Sequence, residues 1–332
     1  MSAPVIVAAV AAGLFDELFS PEDHARMHAL AAELGGTFER VDLLTDAETA
    51  AARVVVTSWG APAFDDALLS TLPRLELIAH VGATIKPFAT AQLFDAGVRV
   101  TQAGLGMARS VAEVSLTFTL ALLHRIPTLH NGLRAGYWYD PPRAGVQHEL
   151  LDAPVAVIGA SRTGRAYLEL IRALGARPVL VDPTIDAATA SSLGAELSSL
   201  DEALSRARIV ALHAPTLPET HHLIGRRELA LMPDGAGLVN TARSWLVDEV
   251  ALVAELRVGR LDAAIDVFDD EPLALGSPLR TLPGVLLTPH RAAGTREGRR
   301  RQGRIIADEI AGFASGAALA HEVDRSMLDT MA

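Results

Sequence analysis

A chain of 332 residues, half of them apolar, is long enough for two domains with sizeable buried cores. Its net charge of −11 excludes nucleic acid or an anionic membrane as the main partner, because phosphate binding needs a basic surface. The absence of cysteine excludes disulfides, thiolate metal sites and cysteine nucleophiles, and it fits a reducing, cytoplasmic compartment.

Taken from the N-terminus, the apolar stretch 4–15 lacks a basic flank and is too short to span a bilayer. It reads as a first strand, Val5 to Val10, followed by a polar stretch, and not as a signal peptide. No other stretch approaches the ~18 uninterrupted apolar residues of a membrane helix. Ser20-Pro21-Glu22-Asp23 supplies an N-cap, a first-turn proline and acids, opening a helix to about Leu34. Strands are expected at Phe38–Leu43, Arg53–Thr57, Leu75–His80 and Val98–Thr101, with helices near Asp65–Ser70 and Phe88–Ala96. Together they make a small parallel α/β unit of about 100 residues. His24 and His28 have the helical spacing of metal ligands. With no third ligand nearby, they read as solvated helical histidines.

A helix apolar nearly all round follows from Ser110 towards Leu129, broken near Pro127, and such a helix is buried between layers or subunits. Tyr137-Trp138-Tyr139-Asp140-Pro141-Pro142 is an aromatic loop with two readings: it packs on a partner subunit, or it covers a domain edge.

The chain is organised around the next stretch. Val155 to Ile158 is a buried-strand run, Gly159 to Gly164 a small turn bounded by glycines, and Arg165 to Leu174 a helix. A second apolar run, Pro178 to Val181, ends at Asp182 about 20 residues past the first glycine, the spacing of a dinucleotide-binding βαβ unit. The helix N-terminus offers unpaired N–H groups to a pyrophosphate, and the acid accepts from ribose hydroxyls. The pattern calls for glycine at 161 and finds Ser161. Either its hydroxyl donates to a phosphate oxygen, or its Cβ holds the cofactor slightly away.

Further strands are expected at Ile209–His213, Gly237–Asn240, Ala263–Val267 and Val285–Thr288, six in all, before a last helix from about Arg296 to Phe313. Arg243, Glu271 and His290 follow three of these strands closely, at the end where open parallel sheets bind ligands. That set suits reduction of a 2-oxo acid. An arginine fork binds the carboxylate, a histidine protonates the developing alkoxide, and a carboxylate holds the histidine ring.

The segments Leu212–Thr220, Leu231–Asp248, Asp266–Pro272 and Thr288-Pro289-His290 resemble the D-isomer-specific 2-hydroxyacid dehydrogenase family (phosphoglycerate dehydrogenase-like) over nearly the whole chain. The resemblance implies an NAD-dependent oxidoreductase acting on a D-2-hydroxy acid or 2-oxo acid, typically a homodimer through its cofactor domain. It implies two Rossmann-like, doubly wound parallel-sheet domains: a discontinuous, flavodoxin-like substrate domain, roughly 1–104 plus 292–332, around a cofactor domain of about 105–291. It assigns Arg243 to substrate, Glu271 to support of the histidine, His290 to acid/base chemistry and Asp266 to the nicotinamide carboxamide. The cofactor set is then Gly159, Ser161, Arg162, Thr163, Gly164, Asp182, His213, Thr241 and Asp266. Substrate falls to Val81, Gly82 and Ala83, on a loop whose backbone N–H groups meet a carboxylate, together with Arg243. Lys86 follows on the same loop and has two readings: it adds a cation for an anionic substrate, or it is solvated.

The chain departs from the family where Ser244-Trp245 replaces Gly-Gly and Arg291 replaces an apolar residue. Trp245 either narrows the pocket or packs at a helix start. Arg296, Arg300 and Arg304 share one helical face and read as solvated. Two alternatives accompany the dehydrogenase reading: phosphite oxidation, suggested by Gly82-Ala83-Thr84-Ile85-Lys86, and a dinucleotide-sensing corepressor. Formate oxidation is disfavoured, since formate dehydrogenases of this superfamily carry glutamine where Glu271 stands.

Overall fold

The computed structural model describes residues 3–44, 47–139 and 141–329; Asp140 of the aromatic loop lies outside them. The chain divides into two compact units, 1–107 with 294–332, and 108–293.

In the first unit, β1 (Pro4–Ala9), α1 (Ala12–Leu18), α2 (Pro21–Glu33), β2 (Thr37–Val41), β3 (Val54–Thr57), α3 (Asp66–Thr71), β4 (Leu77–His80), α4 (Ala91–Asp95) and β5 (Arg99–Gln102) follow in order. Their strands form a parallel sheet ordered β2-β1-β3-β4-β5, the flavodoxin-like arrangement. Val54 and Val56 belong to one apolar cluster and Val55 to another, so both faces are covered and the strand reads as an unbroken apolar run. At α2 the expected start is present in full. Ser20 accepts from the Asp23 N–H, and Asp23 accepts from the Ser20 N–H. The segment expected to be a polar stretch after β1 is instead α1. It has no side-chain cap and is anchored by buried Phe15 and Leu18, too few apolar positions to show a period. His24 packs against the Phe15 ring and His28 against Phe38. No group of metal-ligating side chains occurs among the described residues.

The second unit is entered through α5 (Leu105–Leu123) and continues as α6 (Ile126–Arg134), β6 (Pro154–Ile158), α7 (Arg162–Ala173), β7 (Arg177–Val181), α8 (Ala187–Ser192), β8 (Glu196–Leu197), α9 (Leu200–Arg206), β9 (Ile209–Leu212), α10 (Arg226–Leu231), β10 (Gly237–Asn240), α11 (Glu249–Val258), β11 (Asp262–Ile265) and β12 (Val285–Leu287). α12 (Arg296–Ala314) then returns the chain to the first unit. Seven parallel strands are ordered β12-β11-β10-β9-β6-β7-β8, the doubly wound arrangement with one short edge strand, β8, beyond the six expected. The order reverses at β6, so ligands are expected beyond the carboxyl ends of β6 and β9.

The long apolar helix breaks near Pro127, as expected: it ends at Leu123, Arg125 adopts a left-handed φ of 55°, and Pro127 sits in the first turn of α6, where proline lacks only an N–H that has no helical partner. By length and mean hydropathy α5 is apolar enough to cross a membrane, although Arg109 and Glu113 interrupt its apolar run as expected. Its Ala112, Phe118, Leu122 and Leu123 are nevertheless buried in the core of the second unit.

Candidate active site

The turn after β6 is held by its own protein. Gly159 has a φ of 104°, which disfavours a side chain. A Cβ there would lie 2.7 Å from the Ala214 nitrogen, and one at Gly164 would lie 2.1 Å from the Gly159 oxygen. Both glycines thus allow the turn to pack against itself and the end of β9. The Ala160 N–H donates to Asp182 at 2.7 Å and the Ala160 carbonyl accepts from Arg165 Nε at 2.8 Å. Arg165 was not legible as a turn brace.

Ser161 has a third role beside the two expected: it is the N-cap of α7, and its Oγ accepts the Gly164 N–H at 3.2 Å. The first-turn N–H groups of Arg162 and Thr163 are then the ones suited to a pyrophosphate. Asp182 accepts from Ala160 through Oδ2 and from the Thr184 N–H and hydroxyl through Oδ1. Burial would push its carboxyl up, but the Thr184 and Ala160 hydrogen bonds and the Arg165 charge bring it below its ordinary range. It stays ionised, with lone pairs left for ribose hydroxyls. The donor set therefore fits a dinucleotide.

Three residues expected to touch the cofactor are buried: Thr241 and Asp266 hold protein partners, while both His213 ring nitrogens lack a hydrogen-bond partner among the described residues. His213 is 3 % exposed, its ring 5.0 Å from that of Tyr167. Burial lowers its pKa from 6.5 to about 3, so the ring is neutral and faces protein. Thr241 shares its hydroxyl with Ser115 at 2.7 Å. Asp266, 1 % exposed, accepts from the Thr288 hydroxyl and the N–H groups of Arg291 and Ala292, while its carbonyl accepts the His290 N–H at 2.8 Å. It thereby holds His290 in a left-handed conformation, φ 51°, a strain of the kind found at functional positions.

Past the ends of β10, β11 and β12 the three expected catalytic groups come together. His290 Nδ1 lies 2.7 Å from Glu271 Oε2, and Glu271 Oε1 accepts the Phe268 N–H at 3.0 Å. Burial would raise the Glu271 carboxyl; the His290 and Phe268 hydrogen bonds and the charges of His290 and Arg243 lower it below its ordinary value. Arg243 is half-buried. Desolvation lowers its pKa while the Glu271 charge opposes that shift, so the two sit within electrostatic reach. Its loop is fixed by Asn240, whose side chain accepts the Ala242 N–H and donates to the Arg243 carbonyl. Trp245 packs at this turn: its indole N–H donates to the Leu217 carbonyl at 2.8 Å and His221 lies 4.2 Å from its ring.

In the first unit, the Val81 N–H is committed to the Thr57 carbonyl, so a carboxylate at this loop would meet Gly82 and Ala83. Lys86 is exposed on the same loop. Along α12, Arg296 and Arg304 are exposed and Arg300 is half-buried.

Residues 116–292 match the family model for the NAD binding domain of D-isomer specific 2-hydroxyacid dehydrogenases. The chain is 35 % identical over 239 residues to a D-3-phosphoglycerate dehydrogenase of Methanocaldococcus jannaschii, covering 71 % of this chain and 45 % of that protein. It is 33 % identical over 267 residues to a glyoxylate reductase of Aeropyrum pernix, covering 79 % and 80 %. It thus spans about half the length of the phosphoglycerate dehydrogenases it matches. A glyoxylate reductase structure from Paecilomyes thermophila shares the fold, with a TM-score of 0.81, 22 % identity, and 98 % and 100 % coverage.

Proposed function

The chain belongs to the D-isomer specific 2-hydroxyacid dehydrogenase family, and from that premise we propose that it moves hydride reversibly between NAD and a D-2-hydroxy acid/2-oxo acid pair. The carrying observation is the 2.7 Å contact of His290 Nδ1 with Glu271, beside Arg243, at strand ends of an NAD-binding domain. Bound NAD supplies and accepts the hydride. The N–H groups of Arg162 and Thr163 and the Asp182 carboxylate would hold it. Arg243 presents its guanidinium to the substrate carboxylate. His290 donates the Nε2 proton to the carbonyl oxygen during reduction and removes it from the hydroxyl in the reverse direction. Glu271 fixes the ring by accepting from Nδ1–H. Gly82, Ala83 and Lys86 are the proposed carboxylate ligands of the first unit.

The decisive measurement is NADH oxidation with a panel of 2-oxo acids. NADH binding with no turnover of any of them would reject the reading and favour a sensing role; NAD reduction by phosphite would select the phosphite reading. The relatives named above are a dehydrogenase and reductases, which lends neither alternative support.

Asp182 should repel a 2′-phosphate. Two charges a few ångströms apart near a surface interact by about 1–4 kcal/mol, so kcat/KM should favour NADH over NADPH by roughly fivefold or more. Equal values would remove Asp182 from the ribose site.

We also propose a homodimer through the cofactor domain. Tyr137, Trp138 and Tyr139 are 47 %, 76 % and 81 % exposed, so these three rings are free to pack on a partner subunit. Sedimentation should give twice the 35.0 kDa of one chain, with Trp138→Ala weakening the association. A wild-type monomer at micromolar concentration would end this proposal.

A further inference from the structure

We propose that Gln302 is a positioning residue for substrate: by holding one carbonyl it aims the Gly82 N–H at the substrate carboxylate. The inference rests on the dehydrogenase reading given above.

Gln302 lies on α12 and is fully buried, and its Nε2 donates to the Val81 carbonyl at 2.6 Å. In a planar trans peptide the C=O and N–H point in opposite directions. Drawing the Val81 oxygen towards α12 therefore turns the Gly82 N–H away from it. The next peptide is fixed as well, because the Gly82 carbonyl accepts the Ala103 N–H at 3.1 Å. The Gly82 N–H thus points away from Gln302 and the Ala83 N–H away from Ala103, and consecutive N–H donors held in this way can receive an anion.

The loop cannot settle into another shape. The Val81 N–H holds the end of β3 through Thr57 at 3.0 Å. The His80 ring lies directly beneath Gly82: a Cβ there would be 2.4 Å from His80 Nε2. That ring is itself tied to the Thr57 hydroxyl at 3.0 Å and kept neutral by burial, its pKa lowered to about 4.

Packing alone does not account for a glutamine at 302. Its Oε1 is buried without a protein partner among the described residues, and the same holds for Nε2 of Gln102, whose Oε1 accepts the Gly104 N–H. A buried, unsatisfied polar atom is costly, and leucine or methionine would fill the space without it. The amide is retained at a cost at the position that orients the loop.

The test is Gln302→Met, which keeps the length and loses the donor; Gln302→Leu serves if that variant does not fold. KM for the 2-oxo acid should rise about tenfold, the effect of one misdirected charge-assisted hydrogen bond, with kcat and NADH affinity unchanged. An unchanged KM, or an equal loss of NADH affinity, overturns the proposal.

A readout independent of turnover uses protein labelled with 13C-carbonyl valine and 15N-glycine. Only Gly82 and Gly259 follow a valine, so Gly259 is an internal control of folding. Oxamate should shift the Gly82 resonance in the wild type and shift it far less in the variant. Movement of Gly82 in a wild type that turns over no 2-oxo acid, lost in the variant, upholds the role of Gln302 and rejects the dehydrogenase reading. A wild type that turns over substrate while its Gly82 ignores oxamate overturns this proposal alone.

Discussion

His290→Ala is expected to lower kcat by about 10²–10⁴-fold, the contribution of a positioned general acid, while NADH affinity is retained. The size of the effect follows from the geometry. His290 Nδ1 is engaged by Glu271 at 2.7 Å, which leaves Nε2 as the proton donor for the carbonyl oxygen. The ring is presented from a left-handed backbone residue, φ 51°, fixed by Asp266 through the Thr288 hydroxyl and the N–H groups of its neighbours. Alanine removes the proton donor and its contact with Glu271, but leaves the bonds by which Asp266 holds the loop backbone in place, so the loss belongs to chemistry rather than to folding. Activity within a small factor of wild type in single-turnover measurements would remove His290 from the proton-transfer step.

Arg243→Lys should lower kcat/KM for the 2-oxo acid by roughly 100-fold, about 3 kcal/mol in transition-state stabilisation. Lysine keeps the charge but lacks the planar fork that grips both carboxylate oxygens. The surroundings reinforce the difference. One guanidinium N–H already donates to the Ala242 carbonyl at 2.6 Å, and the Asn240 side chain clamps the turn on both sides. The loop therefore cannot shift to bring a shorter, rotating ammonium into register. Unchanged KM and kcat in the lysine variant would refute a bidentate role.

The parts of the fold that were legible are those where burial writes directly into sequence. Val155 to Ile158 and Val54 to Thr57 are buried on both faces, and parallel strands so covered appear as unbroken apolar runs. The start of α2 was legible because Ser20 and Asp23 act within one turn. α1 was not, since Phe15 and Leu18 alone bury it. The break after α5 was legible from Pro127, although the left-handed Arg125 that makes it carries no turn residue type.

At the site, residue types at strand ends revealed Arg243, Glu271 and His290. What remained hidden were contacts across long sequence separations. Gln302 and Val81 are 221 positions apart, and Asp266 meets Arg291 and Ala292 at 25 and 26. The family resemblance gave His213 to the cofactor. That its ring turns inward onto Tyr167 depends on a helix that no local pattern connects to it.

The turn between β6 and α7 has one more consequence. Its shape is dictated by Ala214, Asp182 and Arg165 rather than by a ligand. Its conformational freedom is lost when the chain folds, so an arriving pyrophosphate has no loop to order there, and association loses less entropy. Such a rigid receptor selects by fit: a phosphate displaced by a fraction of an ångström forfeits its hydrogen bonds instead of drawing the turn after it.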